Sequence, residues 1–252
     1  MRTANVLSGD LLYPLSIVII TIALLCIHFL LGTERFFKRT IYLRHAGKNA
    51  VRTQALGVFY KRLTAFLLYG ICTLFIIKSL YRHSIVQYGF SRGQGELPFL
   101  FMGPVLFLTL LTMLFFSRRK KIYQRYPEVE GARTSRLYFT VSSLTYVLYL
   151  FGYECLFRGF LLFGLKKTFG DLPAALVSMG FVTLTHIGTS LPVIIGSMFS
   201  GIIFPYIALL SGSIWPVFLL HSCIGVGMDY LCAKYQAKAG LVPLTFSDKA
   251  SS

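Results

Sequence analysis

Long apolar runs alternate with short basic connections along this chain. A run of about 20 apolar residues is what an α-helix needs to cross the roughly 30 Å hydrocarbon layer of a bilayer. Seven stretches approach or exceed that length: Leu11 to Gly32, Leu63 to Tyr81, Leu97 to Phe116, Leu137 to Leu165, Leu172 to Gly188, Leu191 to Leu210 and Ser213 to Cys232. The pattern predicts an all-α fold, a polytopic membrane helix bundle of about seven transmembrane helices. The fourth stretch exceeds a perpendicular crossing, which predicts a tilt, a break near Gly152 or a part outside the bilayer. The short connections after it predict that spans four to seven form one compact bundle. The first run has no small-residue cleavage site after it and reads as an uncleaved anchor rather than a secretory signal.

Charge changes the picture in one respect. Of 252 residues 55% are hydrophobic and only 13% charged, yet the formal charge is +16. In a soluble protein that excess would point to nucleic acid. Here Arg35, Lys38, Arg39, Arg44, Lys48, Arg52, Lys61 and Arg62 fall in one connection, and Arg118, Arg119, Lys120, Lys121, Arg125, Arg133 and Arg136 in another. Basic loops between apolar spans follow the positive-inside rule, so both loops are expected in the cytoplasm. The N-terminus and the 82 to 96 connection are then outside, and the tail with Lys234, Lys238 and Lys249 inside. No aromatic-interleaved basic module accompanies the charge, so the expected partner is the lipid bilayer and not nucleic acid. Cys26, Cys72, Cys155, Cys223 and Cys232 lie in or at the end of apolar runs with no paired spacing, and are expected to be small buried hydrophobes.

An ionisable side chain at membrane depth is costly and calls for a reason. The candidates are Glu154, Arg158, His186, His221 and Asp229, with His28 alone in the first span. Glu154 and Arg158 are four apart on one helix face, in the favourable order of acid before base. They either neutralise each other and fix helix packing, or serve chemistry. Gly159 beside them would let another helix approach closely. A single histidine in an apolar helix is ordinarily a packed residue. Two histidines with a glutamate from a third helix can hold and deprotonate water, with or without a divalent metal such as zinc. Asp229 lies about 12 Å along the helix from His221 and roughly 80° around it, which predicts no direct contact and a solvated acid at the cytoplasmic end. Gly225 between them would leave a gap for water or substrate, and His28 is expected simply to pack.

Taken together, the run Tyr153-Glu154-Cys155-Leu156-Phe157-Arg158-Gly159, then His186, then Gly-Ser-Ile-Trp-Pro at 212 to 216, then His221, resembles the CAAX protease and bacteriocin-processing (CPBP) intramembrane proteases. The resemblance covers Leu137 to Cys232. It implies a helical membrane bundle that cleaves peptide bonds in a polar cavity, using motifs of the form Glu-Glu-x-x-x-Arg, Phe-x-x-x-His and His-x-x-x-Asn or Asp. Three positions depart from that pattern. Tyr153 stands in place of the first glutamate, Val182 in place of the phenylalanine with Phe181 one residue early, and Gly225 in place of the asparagine. The chain looks closest to a single-glutamate form with Tyr or Trp before the Glu and an Asp well beyond the last His, in which Asp229 would take the missing polar position.

What the resemblance implies is an integral membrane endopeptidase that hydrolyses a peptide bond of a protein or peptide substrate near the membrane surface. Glu154 and His186 would activate water, His221 would stabilise the oxyanion and Arg158 would orient Glu154, with Tyr153 and Asp229 as binding positions. Residues 1 to 136 would be an N-terminal transmembrane region able to recruit a membrane protein partner, 137 to 232 the protease core and 233 to 252 a flexible tail. The expected location is a bacterial cytoplasmic membrane. A protease-derived scaffold that binds without hydrolysis is the alternative that Tyr153 and Gly225 motivate. A transporter using the Glu, Arg and His line as an ion path is a third, which the lack of broken-helix repeats disfavours.

Overall fold

The computed structural model describes residues 2–40, 50–93, 97–188 and 191–242, so Arg44, Lys48 and Lys249 lie outside the described residues. The described chain is built of helices: α1 (Arg2–Leu31), α2 (Glu34–Thr40), α3 (Ala50–Ser79), α4 (Leu97–Phe116), α5 (Arg136–Phe169), α6 (Asp171–Leu184), α7 (Leu191–Ser211) and α8 (Trp215–Lys238). Among the described residues five helical stretches are long and apolar enough to cross a membrane: Leu11–Leu31, Ala50–Ser79, Arg136–Phe169, Val193–Ser211 and Trp215–Lys238. The other two expected spans correspond to the shorter apolar helices Gly103–Phe116 and Asp171–Leu184. Large apolar side chains such as Phe75, Phe107 and Phe199 point outward from these helices, as a lipid environment allows and water would penalise.

Of the three alternatives for this long span, the break near Gly152 does not occur. Helix α5 continues from Arg136 to Phe169, but its winding widens into a π-helix over Cys155–Phe163, and α3 does the same over Phe66–Cys72. A π-helical turn closes hydrogen bonds one residue further along the chain than an α-turn and is uncommon outside functional positions.

The chain divides into two compact units. The first comprises Met1–Cys26, Leu67–Met102 and Gly152–Phe218, and the second Ile27–Phe66, Gly103–Phe151 and Leu219–Ser252. In the first unit every residue of Cys155–Phe163 is buried. Apart from Arg158 this segment is apolar on all sides, and a helix of that kind requires neighbours all round. Helices α6 and α7, the Thr73–Ser79 end of α3 and the short 3-10 turn Ile85–Tyr88 supply them. The first two also pack on each other closely: a side chain at Gly201 of α7 would meet Met179 of α6 at 2.9 Å.

In the second unit Ala55 and Val58 of α3 pack on Val129 and Ala132, with Phe59, Tyr138 and Phe139 around them. Arg62 is buried at the same contact. It donates to the Ser142 carbonyl (2.9 Å) and hydroxyl (3.0 Å), pairs with Glu128 (3.2 Å) and lies over the Tyr146 ring (4.5 Å). Lys61 pairs with Glu128 as well. The end of α8 corrects one expectation. The helix runs past Cys232 to Lys238 because Gln236 is buried and its amide donates to the carbonyls of Tyr123 and Tyr126, the latter at 2.9 Å. The cysteines also differ from expectation. All five are free, Cys155 and Cys232 are buried, but Cys26 and Cys223 are exposed and Cys72 is intermediate. A thiol is apolar enough to face lipid as readily as protein.

Candidate active site

Glu154 is the last α-helical residue before the π-segment of α5, and Arg158 lies within that segment. Both are buried, at 0% and 1% exposure, and Arg158 Nε is 3.2 Å from Glu154 Oε2. The two charges meet, but the Nε–H is not aligned on the carboxylate, and Arg158 Nη1 has no hydrogen-bond partner among the described residues. The guanidinium is flanked by the Tyr153 ring at 5.8 Å and the Phe204 ring at 5.4 Å, contacts that favour a desolvated cation. Widened winding disturbs the carbonyl ladder, and Ser178 of α6 donates its hydroxyl to the Phe157 carbonyl at 3.2 Å. Gly159 does admit a close neighbour. That neighbour is the loop after the 3-10 turn and not a helix: a side chain at Gly159 would meet Phe90 at 3.3 Å and the Tyr88 carbonyl at 3.4 Å.

His186 was expected within a fifth helical span to Gly188. The helix instead stops at Leu184, and residues 185 to 188 form a turn that ends on Gly188 with φ +87°. The last carbonyls of a helix lack their usual partners. The His186 amide bonds to the Thr183 carbonyl (3.0 Å), which leaves the Val182 carbonyl to side chains. Thr185 Oγ1 reaches it at 2.7 Å and His186 Nδ1 at 2.8 Å, and the two side-chain atoms are 3.2 Å apart. Tyr153 then joins this turn to α5, its hydroxyl 3.3 Å from Thr185 Oγ1. The neighbour of Glu154 and the neighbour of His186 are thus in direct contact.

The Gly-Ser-Ile-Trp-Pro stretch has a holding role in the same unit. Ser213 Oγ donates to the Ser91 carbonyl (2.8 Å), Ser91 Oγ to the Gly212 carbonyl (2.8 Å) and the Ile214 amide to the Gly89 carbonyl (2.9 Å). Trp215 meets Phe90 edge-on at 6.5 Å. This turn therefore fixes the loop that lies on Gly159.

Residues 135–226 match the family model for type II CAAX prenyl endopeptidase Rce1-like proteins. Over this segment, less than half of its length, the chain is similar to that family. No curated protein and no solved structure matches it. The matched segment contains Tyr153, Glu154, Arg158, His186 and His221 and stops short of Asp229. With five helices able to cross a membrane, the protein is an integral membrane protein.

Within the matched segment the first unit brings together Tyr153, Glu154, Arg158, Thr185 and His186. Thr185 was not singled out from sequence, and the signal for it was present: a hydroxyl beside a histidine where an apolar run ends. His221 and Asp229 are in the second unit, both on α8, His221 half-buried. Asp229 is not a solvated acid. It is 3% exposed, and its charge is felt at Arg62, Arg133, Tyr146 and Tyr126. Nor does Gly225 leave a gap, because Tyr146 fills it: a side chain at Gly225 would meet the tyrosine ring at 2.8 Å and Leu150 at 3.3 Å. His28 packs as expected, its ring against Gly32 at the end of α1.

Among the described residues no three His, Cys, Asp or Glu side chains are grouped to hold a metal ion. Glu154 is engaged by a guanidinium and His186 Nδ1 by a carbonyl oxygen. This donor set does not fit a divalent metal such as zinc.

Proposed function

We propose that the protein is an integral membrane endopeptidase that uses Glu154 and His186 to activate a water molecule against a peptide bond. The observation that carries the reading is the contact between the two motifs: Tyr153, next to Glu154, meets Thr185, next to His186, at 3.3 Å. A proton leaves the water as its oxygen attacks the substrate carbonyl, and is returned to the amine as the carbon–nitrogen bond breaks. Arg158 orients Glu154 through a charge-assisted contact. His221 serves as donor to the oxyanion, a role that rests on its place in the third motif.

The substrate is a protein or peptide presented at the membrane surface, and the name of the matched family makes a prenylated C-terminal tail the first probe to try. The basic loops and the C-terminus face the cytoplasm of a bacterial cell, with residues 137 to 232 as the protease core and residues 1 to 136 recruiting a membrane protein partner. The test is mass spectrometry of membrane proteins and released peptides from cells making wild type, Glu154→Gln or His186→Ala at matched levels. A new terminus seen only with wild type supports the reading. Turnover retained in Glu154→Gln would overturn the mechanism.

Two observations favour a second reading, a scaffold that binds a partner helix or tail without hydrolysis. Tyr153 replaces a carboxylate of the related proteases, and Tyr146 fills the space at Gly225 where they carry a polar side chain. Identical peptide sets in all three strains, with a protein that co-purifies with each, would establish it.

A further inference from the structure

The surroundings of His186 determine which of its ring nitrogens carries the proton. Nδ1 lies 2.8 Å from the Val182 carbonyl oxygen. A lone pair on that nitrogen would face the lone pairs of the oxygen at contact distance, whereas an N–H donates to them. Thr185 does not supply the proton instead. Its hydroxyl has one hydrogen, and the 2.7 Å contact with the same Val182 carbonyl uses it. Toward His186, 3.2 Å away, Thr185 Oγ1 presents only lone pairs and accepts. The Tyr153 hydroxyl, 3.3 Å from the same oxygen, is then the donor of that pair.

We propose that Tyr153 and Thr185 are positioning residues that hold His186 on the Val182 carbonyl in the tautomer protonated at Nδ1, so that Nε2 carries the basic lone pair. The proposal rests on the reading of His186 as the residue that takes a proton from water. It gives the departure at Tyr153 a function. The position that is a carboxylate in the related proteases is here a neutral donor, and it reaches the histidine through the Thr185 hydroxyl rather than through a charge. A hydroxyl at 185 with a hydroxyl at 153 orients the ring, because Thr185 fixes one side of the Nδ1–H and Tyr153 fixes Thr185. Neither residue contacts the reacting atoms in this scheme.

The test reads the tautomer directly and needs no substrate. The full chain, with isotope-labelled histidine ring nitrogens, is placed in lipid nanodiscs and its ring-nitrogen chemical shifts are recorded at neutral pH. The chain has five histidines, so the His186 signals are assigned by their loss in His186→Gln. Wild type is expected to show a protonated Nδ1 and an unprotonated Nε2. In Thr185→Val and Tyr153→Phe the signal of the opposite tautomer rises several-fold, and Thr185→Ser restores the wild-type pattern. A wild-type His186 protonated at Nε2 overturns the proposal. So does a wild-type pattern that persists in both Thr185→Val and Tyr153→Phe. Where wild type hydrolyses a prenylated peptide, Thr185→Val lowers kcat about tenfold with little change in KM, and Thr185→Ser recovers it. The expected tautomer without hydrolysis would sink the protease reading and leave this inference standing, whereas hydrolysis with the opposite tautomer would do the reverse.

Discussion

Glu154 and Arg158 are both buried, and their charges meet at 3.2 Å where α5 passes from α-helical to π-helical winding. Two ions in such a place stabilise the fold only as a pair. Each has lost its water, and the remaining partner of a broken pair is left with an uncompensated charge. The widened turn, the buried pair and the bond from Ser178 to Phe157 belong to one local arrangement that fixes where the carboxylate stands.

The first prediction separates that structural role from chemistry. Arg158→Met strands the Glu154 carboxylate and costs about 3–5 kcal/mol of stability. Glu154→Gln costs less, because an amide can still face the guanidinium. The double variant Glu154→Gln with Arg158→Met should be more stable than Arg158→Met alone, by thermal unfolding in nanodiscs, while peptide release stays absent in all three. Full additivity of the two changes would show that the charges are not coupled.

Much of this arrangement was legible in the sequence, and the parts that were not share a cause. Hydropathy registers how apolar a run is, so the long spans of α1, α3, α5, α7 and α8 were visible. It does not register hydrogen-bond pattern. The π-segment at Cys155–Phe163 and the stop of α6 at Leu184 are changes in which carbonyl each amide meets. Asp229 was misplaced for a related reason. An acid near a basic helix end reads as solvated, but Tyr126, Tyr146 and Arg62 come from distant segments that no local pattern connects to it.

The filled space at Gly225 makes a second prediction. An asparagine there would enter the Tyr146 ring at 2.8 Å, so Gly225→Asn is expected to lose about 1–3 kcal/mol from overpacking. Tyr146→Ala removes the obstructing ring, at the expense of the Arg62 contact at 4.5 Å. On that background the asparagine should cost markedly less, a coupling read from the four unfolding midpoints of a double-mutant cycle. Equal costs on both backgrounds would mean that Tyr146 is not what excludes a side chain from position 225.

A third prediction concerns acid. His83 stacks on Tyr81 and Tyr88, its Nδ1 3.0 Å from the Tyr88 hydroxyl and 3.4 Å from Lys167 Nζ. Burial, then the Lys167 ammonium, lowers its pKa below the ordinary 6.5. A lowered histidine pKa means that the neutral ring is favoured by the fold. Its contribution is present above about pH 6.5 and is lost as pH falls through the folded value. Lys167 also bonds Gln87 at 3.0 Å and lies over Tyr88 at 4.5 Å, so a charged His83 would loosen the loop from the end of α5. Amide protection across residues 82 to 88, taken as the exchange rate relative to the intrinsic rate at each pH, should therefore fall below about pH 6 in wild type and be flat with pH in His83→Gln. Lys167→Met should raise the His83 pKa, seen by titration of its ring signals.

The last prediction has the same sign from a carboxylate. Burial alone would raise the Glu128 pKa, but the Lys61 ammonium and the Arg62 guanidinium outweigh it and hold the carboxyl below its ordinary 4.5. A depressed carboxylate stabilises the fold in its ionised form, so the contribution is complete above about pH 4.5 and disappears as pH falls through the folded value. Glu128 is 37% exposed, which limits the loss in Glu128→Gln to about 1 kcal/mol at neutral pH, since Arg62 keeps its two bonds to Ser142. Wild type should lose stability between about pH 5 and about pH 3, and Glu128→Gln should lose less across the same interval because the group that titrates is gone. Parallel acid transitions in the two proteins would place the sensitive carboxylate elsewhere.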